Sequence, residues 1–138
     1  MPMKLSTRTR YGTRALAELA GAWPESSVSV RDMATSQQLS VKYLENILVP
    51  LKAAGLVTAA RGVKGGYKLS KTPGKIKLSD IFRALEGSTA PVACVDEPGS
   101  CPLRKDCPTR ETWCRIGQAI QEVLDGTTLA DIAVEHVS

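Results

Sequence analysis

Cysteine is missing from most of this chain. None occurs at residues 1–93 or 115–138, and all four lie at Cys94, Cys101, Cys107 and Cys114. Clustered thiols hold a soft metal or form a disulfide knot, so one segment is marked for chemistry. Histidine is almost missing as well, His136 being the single one. With no C-x-x-C and no cysteine–histidine arrangement, a thiol redox enzyme is disfavoured. No apolar run approaches the roughly 18 residues that a membrane-spanning helix needs. The opening MPMKLSTRTRYG is basic but leads into no apolar h-region, so it does not read as a secretory signal. A cytoplasmic protein is expected. There structural disulfides are rare, and clustered cysteines more often bind metal or do redox work.

Acidic residues are scarce in the first half. Residues 1–77 carry thirteen Lys/Arg against four Asp/Glu, and residues 78–138 carry five against ten. The net charge of +4 hides this division. A basic half joined to an acidic half suggests that the first meets a polyanion and the second does not. A length of 138 residues suits one domain, or a small domain with a dimerisation appendage.

Periodicity predicts a first helix over 7–23, with Leu16, Leu19, Ala20 and Trp23 on one face and Pro24 ending it. Ser29 is a suitable N-cap for a short helix from Val30 to about Gln38, with Val30, Met33 and Ala34 inward. Leu39-Ser40 reads as a tight turn, and Ser40 as the next cap. A third helix over 41–54 follows, with Val41, Leu44, Ile47, Leu48 and Leu51 apolar. Pro50 predicts a kink or an early end there. Two short helices around a tight turn fit a helix-turn-helix. Next, 56–60 reads as a strand, Arg61–Gly66 as a glycine-rich turn and 67–69 as a returning strand. A basic hairpin after a recognition helix is a wing. The glycines do not make a phosphate loop, since no GK[ST] and no helix follow them.

Residues 71–77 read as a connector. Leu78-Ser79-Asp80 is expected to cap a helix over 80–86, with Ile81, Phe82 and Leu85 apolar and Gly87 ending it. Residues 88–108 have loop composition and hold three of the four cysteines. A long helix is predicted over 109–124 with Trp113, Ile116, Ile120, Val123 and Leu124 in one stripe, capped by Gly126. Such a stripe either covers the DNA-binding domain or meets its copy in a second subunit; the second is expected, because helix-turn-helix proteins read two half-sites as symmetric dimers. Thr127-Thr128 opens a last short helix. The expected architecture is mainly α with a small β-hairpin wing: a winged helix-turn-helix over 1–77, a helix and cysteine-bearing sensor loop over 78–108, and a dimerisation helix with a C-terminal helix over 109–138.

The first turns of a recognition helix reach base edges. With Val41 and Leu44 assigned to the core, Ser40, Lys42, Tyr43, Glu45 and Asn46 are expected to project outward. Glu45 can accept from a cytosine N4, and Asn46 can read adenine. Arg61 and Lys64 suit minor-groove or phosphate contact at the wing tip. Arg8, Arg10, Arg14 and Lys68 are candidates for backbone contacts.

For the cysteines, residue chemistry leaves several readings. The six, five and six residues between them lack the short pairs of common ferredoxins and of zinc knuckles. Arg104, Lys105 and Arg110 lie near in sequence and favour thiolate, which suits a thiol–disulfide sensor. An iron–sulfur cluster, structural zinc, a redox sensor and inert thiols all remain open.

The segments KLSTRTRYGTRALAELA, LSVKYLENILVPLKAAGLV, RGVKGGYKLS, IFRALEG and VLDGTTLADIA together resemble the Rrf-two family of winged-helix regulators. The resemblance implies a homodimeric transcription regulator, with repressor activity expected, on a pseudo-palindromic double-stranded DNA operator. It implies that Glu45 takes the family's discriminating glutamate position and Arg61 that of the wing arginine. It also implies that Cys94, Cys101 and Cys107 ligate an iron–sulfur cluster, 2Fe–2S in preference to 4Fe–4S. Cluster-binding relatives use a histidine where Arg110 stands, or a carboxylate where Arg10 stands. The fourth ligand is therefore left to Cys114 or Glu111, with Asp106 or an external thiol as further alternatives. If a helix ran from Cys107, Cys114 would lie about 10 Å along it, too far to share one small cluster. Other relatives lack the triad. They imply the alternative of a cofactor-free regulator of sulfur or cysteine metabolism, controlled by a protein partner or by thiol oxidation.

Overall fold

The structure is a computed structural model and describes residues 5–60, 66–87 and 108–137. It is mostly helical, with one two-stranded antiparallel sheet. Helix α1 runs Thr7–Ala22, α2 Val30–Gln37 and α3 Val41–Ala53. Strands β1 (Val57–Ala59) and β2 (Tyr67–Leu69) follow, then α4 (Leu78–Leu85), α5 (Arg110–Gly126) and α6 (Leu129–Val137).

Three serines set the starts of the first three helices. The hydroxyl oxygens of Ser6, Ser29 and Ser40 accept hydrogen bonds from the amides of Thr9, Asp32 and Tyr43 at 3.1, 3.0 and 3.1 Å. Each satisfies an amide that the helix itself leaves without a partner. The turn between α2 and α3 is made by Gln38, in the left-handed region at φ 57°, and Leu39 closes it by donating to the Ala34 carbonyl at 2.9 Å.

Helix α3 does not end early at Pro50. Proline removes a single N–H there, while Leu51 beyond it is fully buried with Leu44, Ile47 and Leu48. Packing of that last turn outweighs the missing bond. Val41 departs from expectation and is 40% exposed. Side chains lean towards the helix N-terminus, so the first residue of α3 leans past the end of the core.

The strands pair Val57 with Leu69, Thr58 with Lys68 and Ala59 with Tyr67. Val28, read from the sequence as part of a polar loop, adds an isolated antiparallel bridge to β2: its N–H donates to the Tyr67 carbonyl, and Tyr67 donates back, both at 2.9 Å. Gly66 makes this approach possible. It sits at φ +132°, and a Cβ there would come 2.6 Å from the Val28 carbonyl oxygen.

The 71–77 connector is also more than a link. It contains a 3₁₀ turn at Pro73–Lys75, and Ile76 is fully buried. Leu78 donates to the Thr127 carbonyl and Leu129 to that of Ile76, both at 2.8 Å, which ties the start of α6 to the start of α4. Helix α4 starts at Leu78, earlier than expected, because the Asp80 carboxylate accepts from the Lys77 amide at 3.0 Å and completes the first turn. Gly87, at φ +83°, follows its end.

One core joins these elements: Leu16 and Leu19 of α1, Met33 of α2, the α3 leucines, Leu69, Ile76, Ile81, Leu85 and Leu129. Gly12 is the closest approach inside it, where an added Cβ would overlap Leu85 and crowd Ile47. Helix α5 stands apart. Of its apolar stripe only Leu124 is buried; Trp113, Ile116 and Ile120 are half-buried, and Val123 is 63% exposed. Near its end the buried Ser79 hydroxyl, then Gln121, holds the Asp125 carboxyl below its usual value, docking this turn on α4. Gly126 is the last helical residue of α5 rather than its cap. Helix α6 opens on reciprocal bonds, Thr128 N–H to Asp131 at 2.9 Å and Asp131 N–H to the Thr128 hydroxyl at 3.2 Å.

Candidate nucleic-acid interface

Helix α3 is anchored through its apolar face, so its other face is free to meet a ligand. Ser40, Lys42, Glu45 and Asn46 are exposed at its N-terminal end, on the surface expected to read bases. Ser40 accepts the Tyr43 amide as a cap, and a hydroxyl that accepts still has its own hydrogen to donate. Tyr43 is half-buried and packs on the core rather than projecting fully. Its ring meets Tyr11 of α1 edge to face, centroids 6.3 Å apart at 84°. That contact joins α1 to the first turn of α3.

Tyr11 also gathers charge. The guanidinium of Arg14 lies 5.3 Å and that of Arg10 5.9 Å from its ring centroid. Cations over an aromatic face are attracted by its quadrupole. The ring therefore places two arginines beside the start of α3. Arg8, Arg10 and Arg14 are all exposed, as is Lys68 of β2. Among the described residues the only salt bridge is Arg83–Asp80, at 3.5 Å on α4. The basic side chains of α1 and α3 are thus not neutralised by any described carboxylate, as a phosphate-binding surface requires. Arg61 and Lys64 lie outside the described residues; in the described part of the hairpin the Ala60 amide donates to the Gly66 carbonyl at 2.7 Å.

The cysteine segment leaves α4 and returns at α5. Cys94, Cys101 and Cys107 lie outside the described residues. Cys114 is half-buried on α5 and forms no disulfide among the described residues, and Glu111 is exposed one turn before it. Because α5 begins at Arg110, Cys107 precedes the helix, and the premise of a 10 Å separation along it falls away. Among the described residues no three metal-ligating side chains are gathered. Arg110, at the head of α5, has a buried Nε with no hydrogen-bond partner among the described residues.

One cluster carries no signal in the sequence. The Glu86 carboxylate, just past α4, accepts from the Ser6 hydroxyl at 2.8 Å, the Ser6 amide at 3.2 Å and the buried Thr9 hydroxyl at 2.5 Å. The Thr9 bond, and behind it those from Ser6, hold this carboxyl below its ordinary value against the opposing effect of burial. Partners about 80 residues apart leave no periodic trace.

A capped recognition helix, a β-hairpin beside it and an open basic face define a winged helix-turn-helix DNA-binding protein. Residues 5–135 match the Rrf2 family model, described as an iron-dependent transcriptional regulator. The chain is 42% identical over 130 residues to the protein rrf2 of Nitratidesulfovibrio vulgaris, covering 94% of this chain and 87% of that protein. The solved structure of CymR, the global cysteine regulator of B. subtilis, superposes with a TM-score of 0.81 at 41% identity, covering 97% of this chain and 98% of that one. T. potens IscR superposes with a TM-score of 0.80 at 38% identity, covering 99% and 90%. The chain belongs to the Rrf2 family: it is a DNA-binding transcriptional regulator and not an enzyme. No helix among the described residues is long and apolar enough to cross a membrane.

Proposed function

We propose that the protein is a homodimeric repressor of a pseudo-palindromic operator, its affinity set by an iron–sulfur cluster on Cys94, Cys101 and Cys107. The observation that carries this reading is the placement of the three-cysteine segment. It joins α4, which is packed into the DNA-binding core, to α5, whose apolar stripe is left largely uncovered. Drawing the three thiolates together fixes the chain between those two helices. The state of the segment is thereby linked both to the reading head and to the surface through which two copies associate.

The donor chemistry fits such a group. Three thiolates are soft ligands suited to iron and sulfide, and a thiolate-ligated cluster is anionic, which suits the buried Nε donor of Arg110. When bound, the cluster supplies a redox-responsive centre, 2Fe–2S in preference to 4Fe–4S. Cys114 and Glu111, three residues apart on α5, are the available fourth ligands. Ser40, Glu45, Asn46 and the wing residues Arg61 and Lys64 read the operator, and Lys42 holds a phosphate beside them. Tyr43 supports them, and Arg8, Arg10 and Arg14 hold the backbone. The second copy covers the α5 stripe around Trp113, Ile116, Ile120 and Val123.

Anaerobic reconstitution with ferrous iron and sulfide tests this. Wild type should gain visible charge-transfer absorption and lose it in Cys101→Ala. A colourless wild type sinks the cluster. The likeness to a cysteine regulator supports a second reading, a cofactor-free regulator of sulfur or cysteine metabolism governed by a protein partner or by thiol oxidation. DNA affinity indifferent to iron, with recovery of a metabolic enzyme on the immobilised chain, would favour it.

A further inference from the structure

We propose that Glu86 is the positioning residue through which the cysteine segment acts on the DNA-reading face. The inference rests on the reading above, in which that segment changes state. Helix α1 has an unfavourable start of its own. Its first turn contains Arg8 and Arg10 and no acidic residue, although a helix N-terminus carries partial positive charge. Glu86 supplies the missing anion from outside the helix. A single oxygen, Oε2, receives the Ser6 amide, the Ser6 hydroxyl and the Thr9 hydroxyl. Thr9 is 1% exposed, so its hydroxyl depends on partners within the protein.

The place of Glu86 in the chain makes this contact more than a cap. Leu85 before it is buried in the core, and Gly87 after it turns the chain at φ +83°. Residue 88 then begins the stretch that carries Cys94, Cys101 and Cys107. Chain connectivity makes Gly87 and Glu86 the first described residues that a change in that stretch reaches. At the other end of the contact, α1 carries Arg8, Arg10 and Arg14, and Tyr11 leans on Tyr43 of the recognition helix. Release of Oε2 frees the first turn of α1, and with it the arginines and the support of Tyr43. Among the described residues the path is contiguous: Glu86, the first turn of α1, Tyr11, Tyr43.

The test uses the full chain and a duplex selected in vitro from a random library with the wild-type protein. Affinity is measured by fluorescence anisotropy for the anaerobically iron- and sulfide-reconstituted protein and for the iron-free one. Wild type should show a ratio of about tenfold between the two states, within the ordinary range of allosteric coupling. In Glu86→Ala, at equal iron content, the ratio should fall below about twofold. Glu86→Gln keeps an acceptor for the hydroxyls and should retain most of it. Amide exchange at residues 6–10 should quicken in Glu86→Ala while α3 stays protected. A wild-type ratio surviving in Glu86→Ala means that the contact is structural only, and the proposal falls. If Glu86→Ala does not fold, Thr9→Val removes one donor at constant shape, and an unchanged ratio there overturns the idea equally. If wild type takes up no iron, the cluster reading fails. The contact is then judged on the ratio between iodoacetamide-treated and untreated chain, which should collapse in the variant. A wild-type ratio of one in both comparisons overturns the coupling itself.

Discussion

Helices α3 and α5 have the same kind of apolar periodicity and opposite fates. Leu44, Ile47, Leu48 and Leu51 of α3 are fully buried within one chain, whereas α5 buries only Leu124. An amphipathic pattern states that a face will leave water. It does not state whether the cover comes from the same chain or from another. Where α1, α4 and the sheet surround α3, the stripe becomes core. On α5 the described part of the same chain buries only Leu124, and under the function proposed above the rest of that stripe is covered by a second copy.

The comparison can be broken most sharply at Leu48. Leu48→Ala should destabilise the fold by about 2–5 kcal/mol, while Val49→Ala, at an exposed position on the same helix, should stay within about 0.5 kcal/mol. Equal melting temperatures for the two would mean that α3 is not the core element described. On α5 the reverse holds. Ile116→Asp with Ile120→Asp should leave helix content nearly unchanged in circular dichroism. The same change should weaken self-association by about a hundredfold, as charge at the centre of an apolar interface does. Sedimentation showing an intact dimer would move the interface elsewhere.

A smaller effect is expected at the reading face of α3. Lys42→Ala should flatten the dependence of log affinity on log salt by about one phosphate contact, whichever duplex is used. An unchanged slope would remove Lys42 from the backbone contacts. The smallest effect concerns acid. The folded-state value of Glu86 is lowered, so its stabilising contribution is complete above the ordinary glutamate pKa and is lost as pH falls through the folded value. Thr9→Val should therefore melt below wild type at pH 7, with the two curves converging in acid. A gap that stays constant down the acid limb would assign the loss to packing alone.

The parts that were legible in advance are those made by neighbours in sequence. Ser29 and Ser40 announce their helices because the bond they make spans three residues. The hairpin was readable because its strands flank one turn, and the exposed Lys42, Glu45 and Asn46 because α3 is regular. Tyr43 projects less than its place on the helix predicts, because its partner, Tyr11, belongs to another helix. The sequence places the start of α4 late because Asp80 resembles a cap, while in the structure its carboxylate accepts from the amide of Lys77.

By itself the sequence determined the element order, the starts of α1, α2 and α3, the basic face and the confinement of thiols to one segment, since these depend on residue type and short spacing. Tertiary structure alone decided the Val28 bridge to β2, the clamp of Leu129 on Ile76, the turning of Tyr43 onto Tyr11 and the seat of Ser6 and Thr9 on Glu86. Each joins groups dozens of residues apart. Such contacts form only once packing has brought distant segments within hydrogen-bond or van der Waals reach, and no local pattern of residues encodes that proximity.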